Sequence, residues 1–225
     1  MEEGKPNINN TLIKAVDNTL PDNFIAVAIA VNPGGRGYHS GLVIGVDGEY
    51  KLFHFTGTDV ELKEFPIEEY YSLKELEVID KNESLAFLAH CEMIEEIAQP
   101  KFGYIFDGSY YINNEYITNT ELGEKTTCVG FCINTITGFL VTKQQYFELE
   151  DWDADEQANI YLDEYLQNNQ HVNREEIKSY FKRIKPSEYT ASAYITDLPI
   201  RKQNVDLIIQ DVEREIQRQT NISLN

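Results

Sequence analysis

The stretch that decides the fold is residues 38–55, YHSGLVIGVDGEYKLFHF. It contains two runs rich in apolar and aromatic residues, 38–46 and 50–56, separated by Asp47-Gly48. An Asp-Gly pair between two such runs is typical of a tight β-hairpin turn. The sequence therefore predicts an antiparallel hairpin here.

The turn determines which residues of the hairpin lie opposite each other. A two-residue turn at 47–48, or a four-residue turn at 46–49, pairs residues whose numbers add up to 95. Gly41 then lies opposite His54 and His39 opposite Thr56, so the two histidines are diagonal neighbours on one face, ~7–8 Å apart at Cα. A three-residue turn would break this alternation, and two histidines can also share a polar sheet face by chance.

Outside the hairpin, apolar periodicity predicts further elements. Residues 24–31, FIAVAIAV, are a continuous apolar run between turn-forming segments, typical of a strand buried on both faces, although the alanines leave a short helix open. The aromatic-rich segments 102–106 and 109–117 are expected to be strands or an ordered loop. Segments with a period of about 3.6 residues predict helices at about 84–98, 127–141, 155–168, 174–184 and 204–219.

Cys128 is expected in the first turn of the helix at 127–141. The free amide groups and positive dipole of a helix N-terminus stabilise a thiolate and lower the pKa of the thiol. They also supply donors where an oxyanion would form. Cys91 and Cys132 lie within apolar helical stripes and are interpreted as core residues, so Cys128 is the candidate nucleophile. His90 is interpreted as a surface or boundary residue and His171 as part of a solvated loop.

The hairpin and the cysteine segment together resemble a known family. Residues 38–48, followed by Leu52-Phe53-His54-Phe55, resemble the signature of the circularly permuted NlpC/P60 superfamily, the papain-like group that includes the lecithin:retinol acyltransferase-like proteins. In that group the nucleophilic cysteine follows the histidines and heads a helix, and Thr127-Cys128-Val129-Gly130-Phe131 is similar to that segment. The resemblance covers roughly residues 24–141. It implies an α+β fold with a papain-like permuted NlpC/P60 core, an antiparallel sheet packed on the helix that bears the cysteine.

The resemblance also implies roles for three residues. Cys128 would be the nucleophile, His39 the general base, and His54 the polar residue that orients the base. The acyltransferase-like branch has an asparagine before the cysteine and a polar pair after it, where this chain has Thr127 and Val129-Gly130. This departure counts against a lipid acyltransferase more than against the fold.

These roles imply a cysteine-dependent hydrolase of the peptidase or amidase type, acting through an acyl-enzyme on an amide or ester substrate, with no metal and no cofactor. A thiol acyltransferase or lipid hydrolase of the same superfamily is one alternative. A non-catalytic acidic binding protein on this scaffold is another. Beyond Asp151 the composition changes to short amphipathic helices, so we expect a catalytic domain at residues 1–150 and a helical extension or cap packed on it at 151–225.

Composition limits the partners. The 225 residues include 38 acidic and 19 basic ones, a net charge of −19, which repels phosphate backbones and anionic lipid and favours cationic substrates or partners over nucleic acid. Three cysteines without Cys-x-x-Cys spacing indicate neither a disulfide framework nor a zinc ribbon. The acidic opening residues lack a signal-peptide core, and the longest apolar run is too short for stable membrane insertion. We therefore expect a cytoplasmic protein, while secretion without a cleaved signal stays compatible with the sequence.

Overall fold

The computed structural model describes residues 8, 11–17, 19–31, 38–68, 70–140 and 144–220. At its centre is a six-stranded antiparallel sheet with the spatial order β1-β6-β2-β3-β4-β5. The strands are β1 (Ile13–Lys14), β2 (Phe24–Val31), β3 (Tyr38–Val46), β4 (Glu49–Phe55), β5 (Val60–Glu64) and β6 (Tyr71–Glu75). The sequence analysis did not predict β1, β5 and β6.

The predicted hairpin is confirmed as β3 and β4. Asp47 and Gly48 both have positive φ angles, 51° and 83°, as the two central residues of a type I′ hairpin turn require. Leu42 pairs with Phe53 and Val46 with Glu49, which is the predicted register. The side chains of this hairpin therefore alternate between the two faces as the sequence indicates.

The apolar run 24–31 is the strand β2, which pairs with β3 on one side and β6 on the other, and all eight of its residues are buried. The short-helix alternative is wrong. Val27 and Ile29 face the helical side of the sheet, while Ala26 and Ala28 pack on the other face with a separate apolar cluster that includes Phe65. Burial on both faces explains why the run shows no alternation of polar and apolar residues.

Two predicted helices cover the sheet. They are α1 (Ser84–Ile97) and α2 (Cys128–Phe139), and α2 packs against β3, β4 and α1. The helices predicted at 84–98 and 127–141 are confirmed, except that Val141 lies outside the described residues. The apolar side chains between these helices and the sheet form one continuous core.

The aromatic-rich segments form short strands. They are β7 (Lys101–Phe102), β8 (Tyr110–Ile112) and β9 (Glu115–Ile117), and a further short strand, β10 (Lys125–Thr126), follows them. β8 and β9 form a hairpin, and β10 lies parallel to β7 and runs directly into α2. The strand interpretation therefore holds, although only the start of 102–106 is a strand.

The C-terminal part begins with α3 (Glu156–Asn168), as predicted. The helix predicted at 174–184 is wrong: α4 (Arg174–Ile177) continues only as a 3-10 turn at Lys178–Tyr180. The chain is extended beyond it because Phe181 forms a β-bridge with Ile105. Of the four side chains expected to point inward, Ile177, Phe181 and Ile184 are buried and Tyr180 is half-buried.

The last predicted helix, 204–219, is interrupted. After α5 (Pro186–Ser192), the chain forms α6 (Lys202–Asp206) and α7 (Ile209–Thr220). The expected apolar face is buried in both pieces, and side chains of α5 and α7 belong to the same core as β2 and β3. The segment predicted as an extension is thus helical and packs on the sheet. The described chain is an α+β protein with seven α-helices, none of them long and apolar enough to cross a membrane.

Candidate active site

The two histidines of the hairpin are in direct contact. The Nε2 atom of His39 lies 2.7 Å from the Nδ1 atom of His54. The rings meet edge to face, with centroids 5.0 Å apart and an angle of 72° between their planes. The register of β3 and β4 brings this pair together, and it is therefore the part of the site that the sequence predicts best.

Gly41 makes room for the pair. A Cβ atom at this position would lie 3.0 Å from the Cβ of His54 and 2.9 Å from Cδ1 of Leu52, closer than side chains normally pack. His54 is buried and half-buried His39 stands at the start of β3. The close approach of β3 and β4 at Gly41 thus holds the imidazole of His54 beside that of His39.

Glu61 extends the histidine pair across a third strand. β4 and β5 pair so that Glu61 lies opposite His54, and its Oε2 atom is 3.1 Å from Nε2 of His54. The same oxygen lies 2.5 Å from Nζ of Lys63. Glu61 was not predicted from the sequence, because no strand was expected at this position. The available signal was Gly57, which has a φ of 104° in the turn between β4 and β5.

The environment of the histidines keeps both rings neutral. The pKa of His39 is lowered to about 4, first by burial and then by the charges of His54 and Lys63. Burial and Lys63 also lower the pKa of His54, against the opposing effect of Glu61. A neutral imidazole has one nitrogen free to accept a proton, so His39 meets the first requirement of a general base near pH 7.

Cys128 is the first residue of α2. Thr127 is the N-cap, and its Oγ1 accepts a hydrogen bond of 3.1 Å from the amide of Gly130. The backbone amides of Ser40 and Val129 act to lower the pKa of the half-buried Cys128 thiol. The predicted cluster of donors around the sulfur is therefore present, with one donor supplied by β3.

The expected lowering of the thiol pKa is wrong. Burial raises the pKa of Cys128, and the amides of Ser40 and Val129, with the charge of Arg183, only partly oppose this effect. The resting group is thus a thiol. Cys91 and Cys132 are fully buried, with thiol pKa values raised well above the usual range by burial, in agreement with their interpretation as core residues.

The thiol and the histidine pair lie on opposite faces of the sheet near the start of β3. Ser40 shares its face with Leu42, which packs against α2, whereas His39 begins on the opposite face. The ladder between β3 and β4 ends at Leu42 and Phe53. Within the described part of the chain, no hydrogen bond joins the thiol to His39. The thiol contacts instead the amide of Ser40, one residue from His39.

The other two histidines lie elsewhere. His90 is buried, not on the surface as predicted, because its Nε2 donates a hydrogen bond of 3.1 Å to the carbonyl of Thr135. His171 is exposed in a turn, as predicted. Neither adds a group to the site.

Comparisons with protein-family models, with curated proteins and with solved structures find no match to this chain. The functional assignment therefore depends on the geometry around Cys128, His39 and His54.

Proposed function

We propose that this protein is a cysteine-dependent hydrolase with a permuted NlpC/P60-type, papain-like core. Cys128 is its nucleophile, His39 its general base and His54 the residue that orients the base. The observation that supports the proposal most is the contact of the Cys128 thiol with the amide of Ser40, next to a neutral His39 that is hydrogen-bonded to His54.

The nitrogen of His39 that would take the thiol proton follows from its contacts. Nε2 is occupied by His54, so Nδ1 remains for the thiol. The hydrogen bond between nucleophile and base that acyl transfer requires forms only if His39, which begins on the opposite face of β3, turns toward the thiol.

In the proposed reaction, the sulfur of Cys128 attacks the carbonyl carbon of an amide or ester while its proton passes to Nδ1 of His39. The carbonyl oxygen becomes an oxyanion, for which the first-turn amides of α2 are donors. The C–N or C–O bond then breaks, and His39 returns the proton to the leaving group. Water, deprotonated by His39, attacks the acyl-enzyme, releases the acid and restores the thiol. Neither a metal nor a cofactor takes part.

Starting from a neutral thiol and a neutral imidazole agrees with this scheme. Both groups are uncharged in the resting protein, because the pKa of the Cys128 thiol is raised and that of His39 is lowered. After proton transfer, a thiolate and an imidazolium that are in contact would stabilise each other. The proton therefore moves during the attack rather than before it.

The substrate class that we favour is a peptide or amide, with cationic groups favoured by the net charge of −19. Acyl transfer to a second acceptor, or hydrolysis of a lipid ester, would use the same three residues. A non-catalytic acidic binding protein is the competing proposal, and the raised pKa of the Cys128 thiol is the observation in its favour.

The rate of alkylation of Cys128 by iodoacetamide as a function of pH separates the enzyme from the binding protein. With His39 as the base, the rate should rise as His39 loses its proton near pH 4 and then stay nearly constant to about pH 8. An unassisted thiol should gain about tenfold in rate per pH unit over the same range. A tenfold-per-unit rise that is unchanged in His39→Ala would contradict the enzyme proposal.

A further inference from the structure

The carboxylate of Glu61 has the two contacts that fix its protonation state. It accepts hydrogen bonds from Lys63 and His54, and these partners, Lys63 foremost, lower its pKa. Its side chain is 40% exposed, while that of His54 is only 8% exposed. Glu61 is therefore ionised near neutral pH, and a carboxylate can only accept hydrogen bonds.

The ionised carboxylate of Glu61 determines the direction of both hydrogen bonds in the row of side chains formed by Glu61, His54 and His39. Because Glu61 only accepts, Nε2 of His54 must carry the proton between them. A neutral His54 then has an unprotonated Nδ1, which accepts from Nε2 of His39. A neutral His39 with its proton on Nε2 has a free lone pair on Nδ1.

We propose that Glu61, anchored by Lys63, is a positioning residue that sets the tautomers of His54 and His39 and so keeps Nδ1 of His39 unprotonated. The tautomer assignment concerns the protein itself. Its catalytic consequence, a base with the correct nitrogen free, rests on the proposed function of Cys128 and His39. No substrate contact is assigned to Glu61.

The pairing of β4 and β5 places Glu61 where it can position His54. The turn between β4 and β5 is closed by hydrogen bonds from the amides of Thr58 and Asp59 to Oγ1 of Thr56. It sets the register that puts Glu61 opposite His54, and Lys63, two residues further along the same face of β5, holds the carboxylate. The charged and titratable groups that act on His39 are His54, Lys63 and Glu61.

Glu61→Gln is the sharpest variant because a side-chain amide both donates and accepts hydrogen bonds. It removes the charge with little change of shape and permits the reversed row, in which Nδ1 of His39 carries a proton. Glu64→Gln is the matched control: Glu64 lies on the same strand, is paired with Lys51 and is 77% exposed. Glu61→Asp keeps the acceptor-only carboxylate and should restore part of the wild-type behaviour.

The direct test is ¹⁵N NMR of the imidazole nitrogens near pH 7, which distinguishes protonated from unprotonated ring nitrogens without any substrate. We expect both His39 and His54 to carry the proton on Nε2 in the wild-type protein and in Glu64→Gln. Glu61→Gln should show a mixture with the reversed tautomers. A proton on Nδ1 of His39 in the wild-type protein, or unchanged tautomers in Glu61→Gln, would overturn the proposal.

The catalytic consequence is tested by the iodoacetamide rate of Cys128 at pH 7. Glu61→Gln should lower this labelling rate about 10²-fold, a loss typical of a misplaced general base. Glu61→Asp should recover part of the loss, and Glu64→Gln should have no effect. If the tautomers change in Glu61→Gln but the labelling rate of Cys128 is the same in His39→Ala as in the wild-type protein, the enzyme proposal is refuted. The tautomer assignment then still holds. If His39→Ala slows the labelling of Cys128 but Glu61→Gln leaves the rate unchanged, the positioning role of Glu61 is refuted.

Discussion

The Nε2 atom of His39 and the Nδ1 atom of His54 are 2.7 Å apart, so one hydrogen bond joins the two rings and a single proton lies between these nitrogens. The relationship comes from strand register: residues 39 and 54 are diagonal neighbours on one face of a hairpin whose turn is Asp47-Gly48. A proton on Nδ1 of His54 would break this hydrogen bond, whereas Nδ1 of His39 can take a proton without breaking it. The pair therefore links the protonation of the site to the stability of the hairpin that carries it.

We expect the free energy of unfolding to decrease between about pH 6.5 and pH 4. The pKa of His39 is lowered from 6.5 to about 4 in the folded state, and those of His54 and His90 are also lowered. In this interval the unfolded chain binds protons that the folded chain does not. Stability is thus fully present above pH 6.5 and lost as the pH falls, with a slope of up to about 1.4 kcal/mol per pH unit for each histidine.

Urea unfolding at half-unit pH intervals measures this slope. His39→Gln should flatten it between pH 6.5 and 4, whereas exposed His171→Gln, the matched control, should leave it unchanged. A wild-type stability that does not vary over the interval would contradict the lowered pKa values.

The thiols should differ strongly in accessibility. Cys91 and Cys132 are fully buried, so we expect them to react with iodoacetamide only after denaturation, whereas half-buried Cys128 should react in the native protein. Brief labelling followed by peptide mass mapping measures the order. Faster labelling of Cys132 than of Cys128 would mean that the nucleophile was assigned one helical turn too early.

Gly41→Ala tests the close contact between β3 and β4. The new methyl group would lie 3.0 Å from the Cβ of His54, 2.9 Å from Leu52 and 3.2 Å from the carbonyl oxygen of Phe53. Overpacking of this kind destabilises a fold by about 1–3 kcal/mol, and here it also pushes His54 away from His39. Urea unfolding gives the first effect, and the NMR signals of the two rings give the second. Unchanged stability and ring signals would show that the strands have more room than the structure indicates.

The parts of the fold and site that the sequence predicts are those fixed by local chemistry. The Asp47-Gly48 turn specifies its own register, and the apolar periods specify α1, α2 and α3. The helix predicted at 174–184 ends early although its apolar spacing is helical, because the bridge between Ile105 and Phe181 keeps the chain extended there. That bridge joins distant parts of the chain and leaves no local signal.

The same distinction explains the site. The contact between His39 and His54 depends on one hairpin, but Glu61 joins them only through the additional pairing of β5, whose sequence VELKE has few apolar residues. The raised pKa of Cys128 depends on burial by several elements, while the helix N-terminus alone predicts the opposite direction. The contact between His39 and His54 could thus be predicted from the sequence more readily than the environment of Cys128.

The final prediction concerns the relative importance of the three proposed catalytic positions. Cys128→Ala removes the nucleophile and should abolish turnover, with little effect on folding because Cys128 is only half-buried. His39→Ala should be nearly as damaging, since the thiol, whose pKa is raised, must then ionise unaided. His54→Ala should retain some activity because it positions the base without taking the thiol proton.

A panel of thioesters and fluorogenic amides, including cationic ones, is the assay for this order, with His171→Ala as the control that should keep full activity. Unfolding curves for each variant separate loss of catalysis from loss of structure. Full activity in Cys128→Ala would exclude it as the nucleophile. A larger loss in His54→Ala than in His39→Ala would exchange their roles, because the residue that takes the proton must be the one whose removal leaves the thiol without a base.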